Sequence, residues 1–156
     1  MTITLYALAH RLLGKIQERP GGRHHPYVQW AHELAGLGEG QPDETAWCGS
    51  SLVPLCLLLG LPIPPAPARA RAWLKAGIPI TLAEATRGWD LVILRRGDHS
   101  PGPEILDAPG HVTIFDRFSP DGARVYGLGG NQGNTWSVAG FSGAKILGIR
   151  RLWVED

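Results

Sequence analysis

The sequence contains little cysteine, little methionine and almost no excess of charge of either sign. It has two cysteines and one methionine in 156 residues, and 15 Lys and Arg side chains are balanced by 14 Asp and Glu. Two cysteines cannot form the disulfide framework of a small secreted scaffold. A net charge of +1 gives no overall field for binding nucleic acid or an anionic membrane. We therefore expect free thiols, folding in a reducing compartment and no nucleic-acid partner.

Long apolar runs are also missing. The longest run, residues 52–63, is interrupted by Pro54, Gly60 and Pro62 and is shorter than the roughly 20 residues that a membrane-spanning helix needs. The first 22 residues lack the basic start, the unbroken apolar stretch and the small-residue cleavage site of a secretory signal. The sequence thus predicts no membrane insertion and a chain that is cytoplasmic when made.

Glycine, proline and apolar residues are plentiful. There are 21 Gly and 13 Pro, and 44% of the residues are hydrophobic, which is enough for a packed core with short elements and many turns. A chain of 156 residues suits one domain. We predict a single domain over 1–156, in which 1–44 form N-terminal helices and an approach loop and 45–156 form a cysteine-bearing helix and a sheet.

The first half of the chain has the spacing of helices. Apolar residues recur every three or four positions in 5–16 and in 27–37, and Gly or Pro follows each segment. The apolar run after Trp47 predicts a central buried helix that starts near Cys48. Pro54 within it must be accommodated by a kink or by a place in the first turn. A further short helix is predicted over 68–76.

The second half of the chain has the pattern of strands. Short β-branched or apolar runs at 90–94, 112–115, 125–128 and 145–152 are separated by turn residues. Strands joined in this way form a small antiparallel sheet. Because the predicted helices precede the strands, the fold class is α+β, with one core between the helices and the sheet.

Cys48 is the candidate nucleophile, because it follows a polar loop and opens the predicted buried helix. The N–H groups and the dipole at a helix start lower the pKa of a thiol. The same N–H groups can bind the oxyanion of a tetrahedral intermediate. The alternative is an inert buried cysteine, and the residues around Cys48 leave both interpretations open.

His111 and Asn131 are the candidate partners of this thiol. His111 starts an alternating strand directly after Pro109 and Gly110, where its ring can face a cleft as a base, although a partly buried sheet histidine fits the same pattern. Asn131 lies in a glycine-rich loop, where its amide can orient an imidazole or simply stabilise a turn. That loop matches no nucleotide-binding motif, so we expect no nucleotide.

Trp47 and Trp89 are candidate substrate-binding residues, with buried structural roles as the alternative. His24 and His25 are adjacent and diverge in most backbone conformations, and no acidic or cysteine partner is near them at ligand spacing. We therefore expect no metal and no other cofactor.

The segment that contains Asp98, His99 and Asp107 is irregular and lies between two predicted strands. We expect it to border the cleft. Its acidic residues do not have the arrangement of a calcium-binding loop.

Four segments together resemble a known family of enzymes. They are DETAWCG (43–49), WDLVILRRG (89–97), GHVTIF (110–115) and LGGNQ (128–132). In this order they are similar to the cell-wall cysteine hydrolases of the CHAP and NlpC/P60 superfamily, in particular a compact subgroup found in phage endolysins and bacterial genomes. The resemblance extends from the second predicted helix to the C-terminus. The chain departs from the family pattern at Gly49-Ser50-Ser51 and Val53-Pro54.

The resemblance implies a papain-like α+β core and a role for each candidate. Cys48 matches the nucleophile, His111 the general base and Asn131 the residue that orients the histidine. The implied activity is that of an endolysin-like peptidoglycan hydrolase without a cofactor, either an N-acetylmuramoyl-L-alanine amidase or an endopeptidase. We expect a monomer that acts on bacterial peptidoglycan after release through a membrane pore formed by a separate holin.

Two other functions fit the same resemblance. One is a secreted interbacterial amidase toxin of the same chemistry, which a cognate immunity protein would block. The other is a non-catalytic wall-binding module that keeps the fold without the activity.

Overall fold

The computed structural model describes residues 2–97 and 100–154. In this part of the chain three α-helices come first and six antiparallel strands follow, which confirms the α+β class. The helices are α1 (Leu5–His10), α2 (Pro26–Leu34) and α3 (Leu52–Leu59). The strands are β1 (Ile78–Ile80), β2 (Asp90–Arg95), β3 (Gly110–Phe118), β4 (Arg124–Gln132), β5 (Thr135–Ser142) and β6 (Ile146–Arg151). Short 3₁₀ turns lie at Ala70–Lys75, Leu82–Glu84 and Gly143–Lys145.

The helix α1 is shorter than its apolar spacing predicts. After His10 the chain tightens into turns with hydrogen bonds between residues three apart, such as Leu12 N–H to the Ala9 carbonyl. Gly14 then adopts a φ of +71°, which stops the helix. Beyond it Ile16 accepts a hydrogen bond from Trp136 N–H at 2.9 Å, so the segment joins the edge of the sheet instead.

The helix α3 begins at Leu52, four positions after Cys48. A turn leads into it, because Ser51 N–H donates to the Trp47 carbonyl at 2.9 Å, which is the spacing of an α-helical bond. Pro54 is the third residue of α3, where its missing N–H leaves no helical hydrogen bond unmade. The first-turn position is therefore the way in which the helix accommodates this proline.

The six strands form one sheet in the order β1-β6-β2-β3-β4-β5. Four of them, β2, β3, β4 and β6, overlap the predicted runs, whereas β1 and β5 were not predicted. β1 has three residues and contains Pro79, which a sheet tolerates at its edge. β5 lies at the opposite edge and carries Gly140 and small polar residues, which weaken its alternation.

The helices pack on one face of the sheet and form the main core there. That core contains the large buried side chains Leu5, Trp47, Leu52, Leu55, Trp73, Leu91, Ile93, Val112, Ile114, Leu128 and Trp136. The other face carries a smaller cluster formed by Val92, Leu94, Phe115 and Val125. Over the described ranges 2–97 and 100–154, no helix has the length and apolar character needed to cross a membrane.

Gly130 allows β4 to approach the turn that precedes α3. A Cβ atom at this position would lie 2.4 Å from Trp47 Cζ3 and 2.8 Å from Ser51 Oγ. Trp47 is fully buried and cannot yield. Gly130→Ala is therefore expected to lower the free energy of unfolding in urea by about 1–3 kcal/mol.

Gly22→Ala is the control for this substitution, because Gly22 has a positive φ but open space around it. We expect a smaller loss there, arising from backbone strain alone. A loss below about 1 kcal/mol in Gly130→Ala would show that contact with Trp47 is not a constraint.

Candidate active site

Cys48 lies in the turn before α3, at the end of the sheet where β3 begins. Ser51 Oγ donates to the Cys48 carbonyl at 2.9 Å and fixes the turn from within. Gly49 is required next to the thiol, because a Cβ there would lie 2.4 Å from the Pro67 carbonyl oxygen. Within residues 2–97 and 100–154, the backbone N–H groups of Cys48 and Gly49 have no hydrogen-bond acceptor. They are available to an oxyanion formed at the thiol.

His32, a buried histidine on α2, is within hydrogen-bonding distance of residues on both sides of Cys48. His32 is fully buried, and its Nε2 lies 3.2 Å from the Thr45 carbonyl oxygen and its Nδ1 2.9 Å from Ser50 Oγ. A carbonyl only accepts, so Nε2 carries the proton and Nδ1 accepts from the Ser50 hydroxyl. Burial lowers the pKa of His32 and keeps it neutral. Sequence analysis missed this residue, which reads as an ordinary polar position of α2.

Asp43 holds the loop that approaches Cys48. Its buried carboxylate accepts the N–H groups of Arg19 at 2.9 Å and His25 at 2.7 Å. Burial alone would raise the pKa of Asp43, but these donors and His24 outweigh burial and lower it. At pH values above the ordinary carboxyl pKa, we expect these hydrogen bonds to stabilise the loop fully. The stabilisation should be lost as the pH falls through the lowered pKa of Asp43 in the folded protein.

The fold also brings His24 to acidic partners, contrary to the expectation from spacing. His24 Nδ1 lies 3.2 Å from Asp43 Oδ1 and 3.3 Å from Glu44 Oε2. The partners are about 20 positions away along the chain, so local spacing could not reveal them. Because Asp43 Oδ2 accepts from two main-chain N–H groups and His24 Nδ1 accepts from the Asp43 N–H at 3.2 Å, the cluster is explained by its role in holding the loop.

His111 is oriented by Gln132. The imidazole Nε2 lies 2.9 Å from Gln132 Oε1. The amide nitrogen of Gln132 donates to the carbonyls of Gly127 at 3.0 Å and Ser137 at 2.6 Å, which fixes its oxygen toward the ring. His111 Nε2 is therefore a donor, and Nδ1 is the atom left for chemistry.

The structure corrects the assignment of Asn131 as the orienting residue. The pairing of β4 with β5 shifts register between Gly129 and Gln132, and Asn131 takes a φ of +58° within this bulge. The bulge directs the side chain of Gln132, not that of Asn131, to the ring. Asn131 lines the cavity beside His111 instead. The sequence does show a second amide, Gln132, next to Asn131. An alternating pattern cannot predict the bulge that turns Gln132 toward the ring.

Cys48 and His111 perturb each other as a thiol–imidazole pair does. Burial opposes the charged form of each, but the interaction between them outweighs it, so the pKa of Cys48 is lowered and that of His111 is raised. The Val112 N–H and the charge of Arg96 further favour the thiolate. His111 Nδ1 is buried and has no hydrogen-bond partner in the described ranges. Both shifts are in the direction of a thiolate beside an imidazolium.

The second cysteine has a different environment. Cys56 is fully buried in α3, and burial raises its pKa to about 12. Both cysteines are free thiols, as expected from the sequence. Of the two, Cys48 has the environment of a nucleophile and Cys56 that of a core residue.

Two cavities lie on either side of the thiol–imidazole pair. The acyl-side cavity, as we name the one beside Cys48, has a volume of about 250 Å³ and is lined by Ala46, Cys48, Arg69, Arg96 and Asp107 among others. The amine-side cavity, beside His111, has a volume of about 260 Å³. Arg96 lines both. Asp107 thus borders the cleft as expected, whereas Asp98 and His99 lie outside the described residues.

Arg71 fixes the wall of the acyl-side cavity. It is fully buried, and its Nη1 donates to the carbonyls of Pro101 at 2.9 Å and Gly102 at 2.7 Å. Its Nε donates to the Pro109 carbonyl at 2.9 Å, directly before β3. One side chain therefore sets the path of the segment that leads to His111.

Neither predicted tryptophan lines these cavities. Trp47 is fully buried, and its Nε1 donates to Glu18 Oε1 at 3.0 Å. Trp89 lies before β2 beside Trp153, with ring centroids 5.0 Å apart. His111 pairs with Leu94, near the other end of β2. Trp47 is thus part of the core, and Trp89 lines a separate cavity with Trp153, away from the two cavities beside Cys48 and His111.

Comparison with known proteins gives no assignment for this chain. It matches no protein-family model and no curated protein sequence.

Proposed function

We propose that the protein is a cysteine-dependent amide hydrolase that cleaves bacterial peptidoglycan. The observation that carries this proposal is a buried His111 held by Gln132, together with the mutual effect of Cys48 and His111 that lowers the thiol pKa and raises the imidazole pKa. A structural cysteine needs neither an oriented base nor a depressed pKa. The same observation argues against a non-catalytic wall-binding module.

The first step forms an acyl-enzyme. The Cys48 thiolate attacks the amide carbonyl carbon, and the carbonyl electron pair moves to oxygen near the free N–H groups of the turn. As the intermediate collapses, the C–N bond breaks and His111 Nδ1 delivers its proton to the leaving nitrogen. The free amine departs and the acyl group stays on sulfur.

The second step returns the enzyme to its starting form. Neutral His111 removes a proton from water, and the resulting hydroxide attacks the thioester carbonyl. The C–S bond breaks and releases the carboxylic acid. Cys48 is again a thiolate and His111 an imidazolium, held in place by Gln132.

The cell-wall substrate is supported by the four-segment resemblance to CHAP and NlpC/P60 hydrolases. A papain-like arrangement is supported by the order of the parts: a nucleophile before a central helix, then a sheet that carries the base and its orienting amide. Under this proposal the protein is an endolysin-like monomer that reaches the wall through a holin pore and needs no cofactor. The bond is either N-acetylmuramoyl-L-alanine or a peptide bond of the stem.

Digestion of purified peptidoglycan tests the proposal. We expect the protein to release soluble fragments whose masses identify the new amine and carboxylic-acid ends, and hence the bond cut. The matched control is the same protein after alkylation of its thiol with iodoacetamide, which should release none. Absence of fragments from the untreated protein, or equal release by the alkylated protein, would overturn the proposal.

A further inference from the structure

We infer that Arg95, Arg96 and Lys145 form a carboxylate-binding subsite in the amine-side cavity, and that the amine component of the substrate carries the carboxylate. This inference rests on the proposed amide hydrolysis and adds the charge and the position of one substrate group. The three residues are named below as the cationic subsite.

The cationic subsite lies directly beside the catalytic histidine. Arg95, Arg96 and Lys145 line the same cavity of about 260 Å³ as His111 and Gln132. They come from two separate parts of the chain, because Arg95 ends β2, Arg96 follows it, and Lys145 lies in the turn before β6. The residues that line this cavity in the described ranges include no Asp or Glu.

Within residues 2–97 and 100–154, the positive charges of the subsite have no protein counter-ions. In the part of the chain that the structure describes, the cations in ion pairs are His24, Arg87, Arg117 and Arg151, and none belongs to the subsite. The Nε of Arg95 is moreover buried without a hydrogen-bond partner. Like charges around a partly enclosed cavity repel one another, and an unpartnered buried donor costs free energy. A bound carboxylate relieves the repulsion between the like charges.

The direction of proton transfer assigns the carboxylate to the amine component. His111 Nδ1 must lie next to the leaving nitrogen in order to protonate it, whereas Cys48 Sγ binds the acyl carbon. The amine component therefore extends from the histidine into the amine-side cavity. The acyl component extends into the cavity beside Cys48, which Asp107 lines in addition to Arg69 and Arg96.

The size of the cavity limits what it binds. Its volume of about 260 Å³ is below the roughly 300–1,000 Å³ of sites for drug-sized ligands, so it suits a single amino-acid residue rather than a sugar chain. Phe141 and Ala139 provide an apolar wall for the aliphatic part of such a residue. The substrate class is thus an amide whose leaving amine is an amino-acid residue with a free carboxylate.

Carboxylate binding also favours the chemistry at His111. The charge of Arg96 opposes protonation of His111. A carboxylate beside Arg96 offsets that charge, so the imidazolium needed by the leaving group is favoured when the correct substrate is bound. The subsite therefore couples recognition to proton donation.

Two alkylating reagents of nearly equal shape test the subsite. Iodoacetate carries a carboxylate and iodoacetamide does not; in each case the Cys48 thiolate forms the S–C bond and iodide leaves. With rates normalised to those of the urea-unfolded protein, we expect iodoacetate to be preferred by about 10-fold at low salt. The Arg95→Gln/Lys145→Gln double variant should lose most of this preference.

The matched control is the Lys75→Gln/Arg124→Gln double variant. It removes the same net charge from two exposed residues that do not line the amine-side cavity. It should retain the preference for iodoacetate. A preference below about twofold in the parent protein, or an equal loss in both double variants, would overturn the subsite.

Synthetic amides test whether the carboxylate is bound on the amine side or on the acyl side of the cleft. Their amine component carries either a free carboxylate or the corresponding carboxamide, and a second pair places the same change on the acyl component. We expect kcat/KM to favour the carboxylate by about 10-fold in the first pair only. A preference confined to the acyl component would overturn the assignment to the amine.

Failure of the subsite and failure of the proposed function give different results. If both reagents alkylate Cys48 rapidly and without preference, the thiol is activated and only the subsite is wrong. If neither reagent alkylates Cys48 faster in the folded than in the unfolded protein, and no amide is cleaved, the hydrolase proposal is wrong and the subsite with it.

Discussion

Cys48→Ala is expected to lower the rate of amide hydrolysis by about 10⁴-fold or more, with the fold retained. The thiolate makes the bond to the substrate carbon that leads to loss of the amine in the proposed reaction, and no neighbouring group replaces it. Cys48 is 4% exposed and belongs to the main core, so the loss of one sulfur atom leaves a small cavity that costs some stability without unfolding the protein. Hydrolysis is measured with the peptidoglycan digest, and folding by the far-UV circular dichroism spectrum.

Cys56→Ala is the matched control. It removes the same atom from a fully buried residue of α3, at a position that does not line either cavity. We expect turnover within about twofold of the parent and some loss of stability from the small cavity left behind. A similar loss of activity in the two variants would mean that Cys48 has no special role.

Gln132→Ala is expected to lower turnover by about 10²-fold, whereas Asn131→Ala should cost less than about fivefold. The Gln132 amide is the partner of His111 Nε2, and its own two hydrogen bonds hold it rigidly. Without it the imidazole loses its fixed tautomer and its orientation toward the thiol. Turnover of the two variants, measured side by side, shows which of the two side-chain amides orients His111. The reverse order would restore Asn131 as the orienting residue.

The pH profile distinguishes an orienting role of Gln132 from a merely structural one. The hydrogen bond from His111 to Gln132 raises the pKa of the imidazole, so its removal lowers that pKa. Because the leaving group requires a protonated His111, the alkaline limb of the activity profile should move to lower pH in Gln132→Ala. In Gln132→Glu an added negative charge should move the same limb to higher pH. A limb at the same pH in both variants would contradict this role.

Residue pattern alone marked Cys48 and His111 as candidates, and the four-segment resemblance supplied the proposed roles of nucleophile and base. Cys48 follows a polar loop before an apolar run, and His111 starts an alternating strand, and both signals are local in sequence. The strands β2, β3, β4 and β6 were predictable for the same reason. The helix α3 starts later than its apolar run suggests, because Pro54 must fall within its first turn.

The remaining features depend on contacts between distant segments. Gln132 contacts His111 in place of Asn131 because a register shift changes which side chain of β4 faces the ring. That shift depends on the pairing of β4 with β5. The sequence alone allows Trp47 to be a substrate-binding residue. In the structure its Nε1 donates to Glu18 and its ring lies close against Gly130. His32 and Asp43 hold the loop around Cys48 through hydrogen bonds that join positions about 13 to 24 apart. No periodicity in the sequence reports such contacts.

The anchoring of the cleft wall by Arg71 has a consequence for how specificity can diverge. Each of its hydrogen bonds ends on a main-chain carbonyl, those of Pro101, Gly102, Ile105 and Pro109. The path of the wall therefore depends on one arginine and on the backbone, and not on the identity of the wall side chains. Residues between these anchor points are free to be exchanged while the cleft keeps its shape, so new substrate preferences can arise there without a new fold.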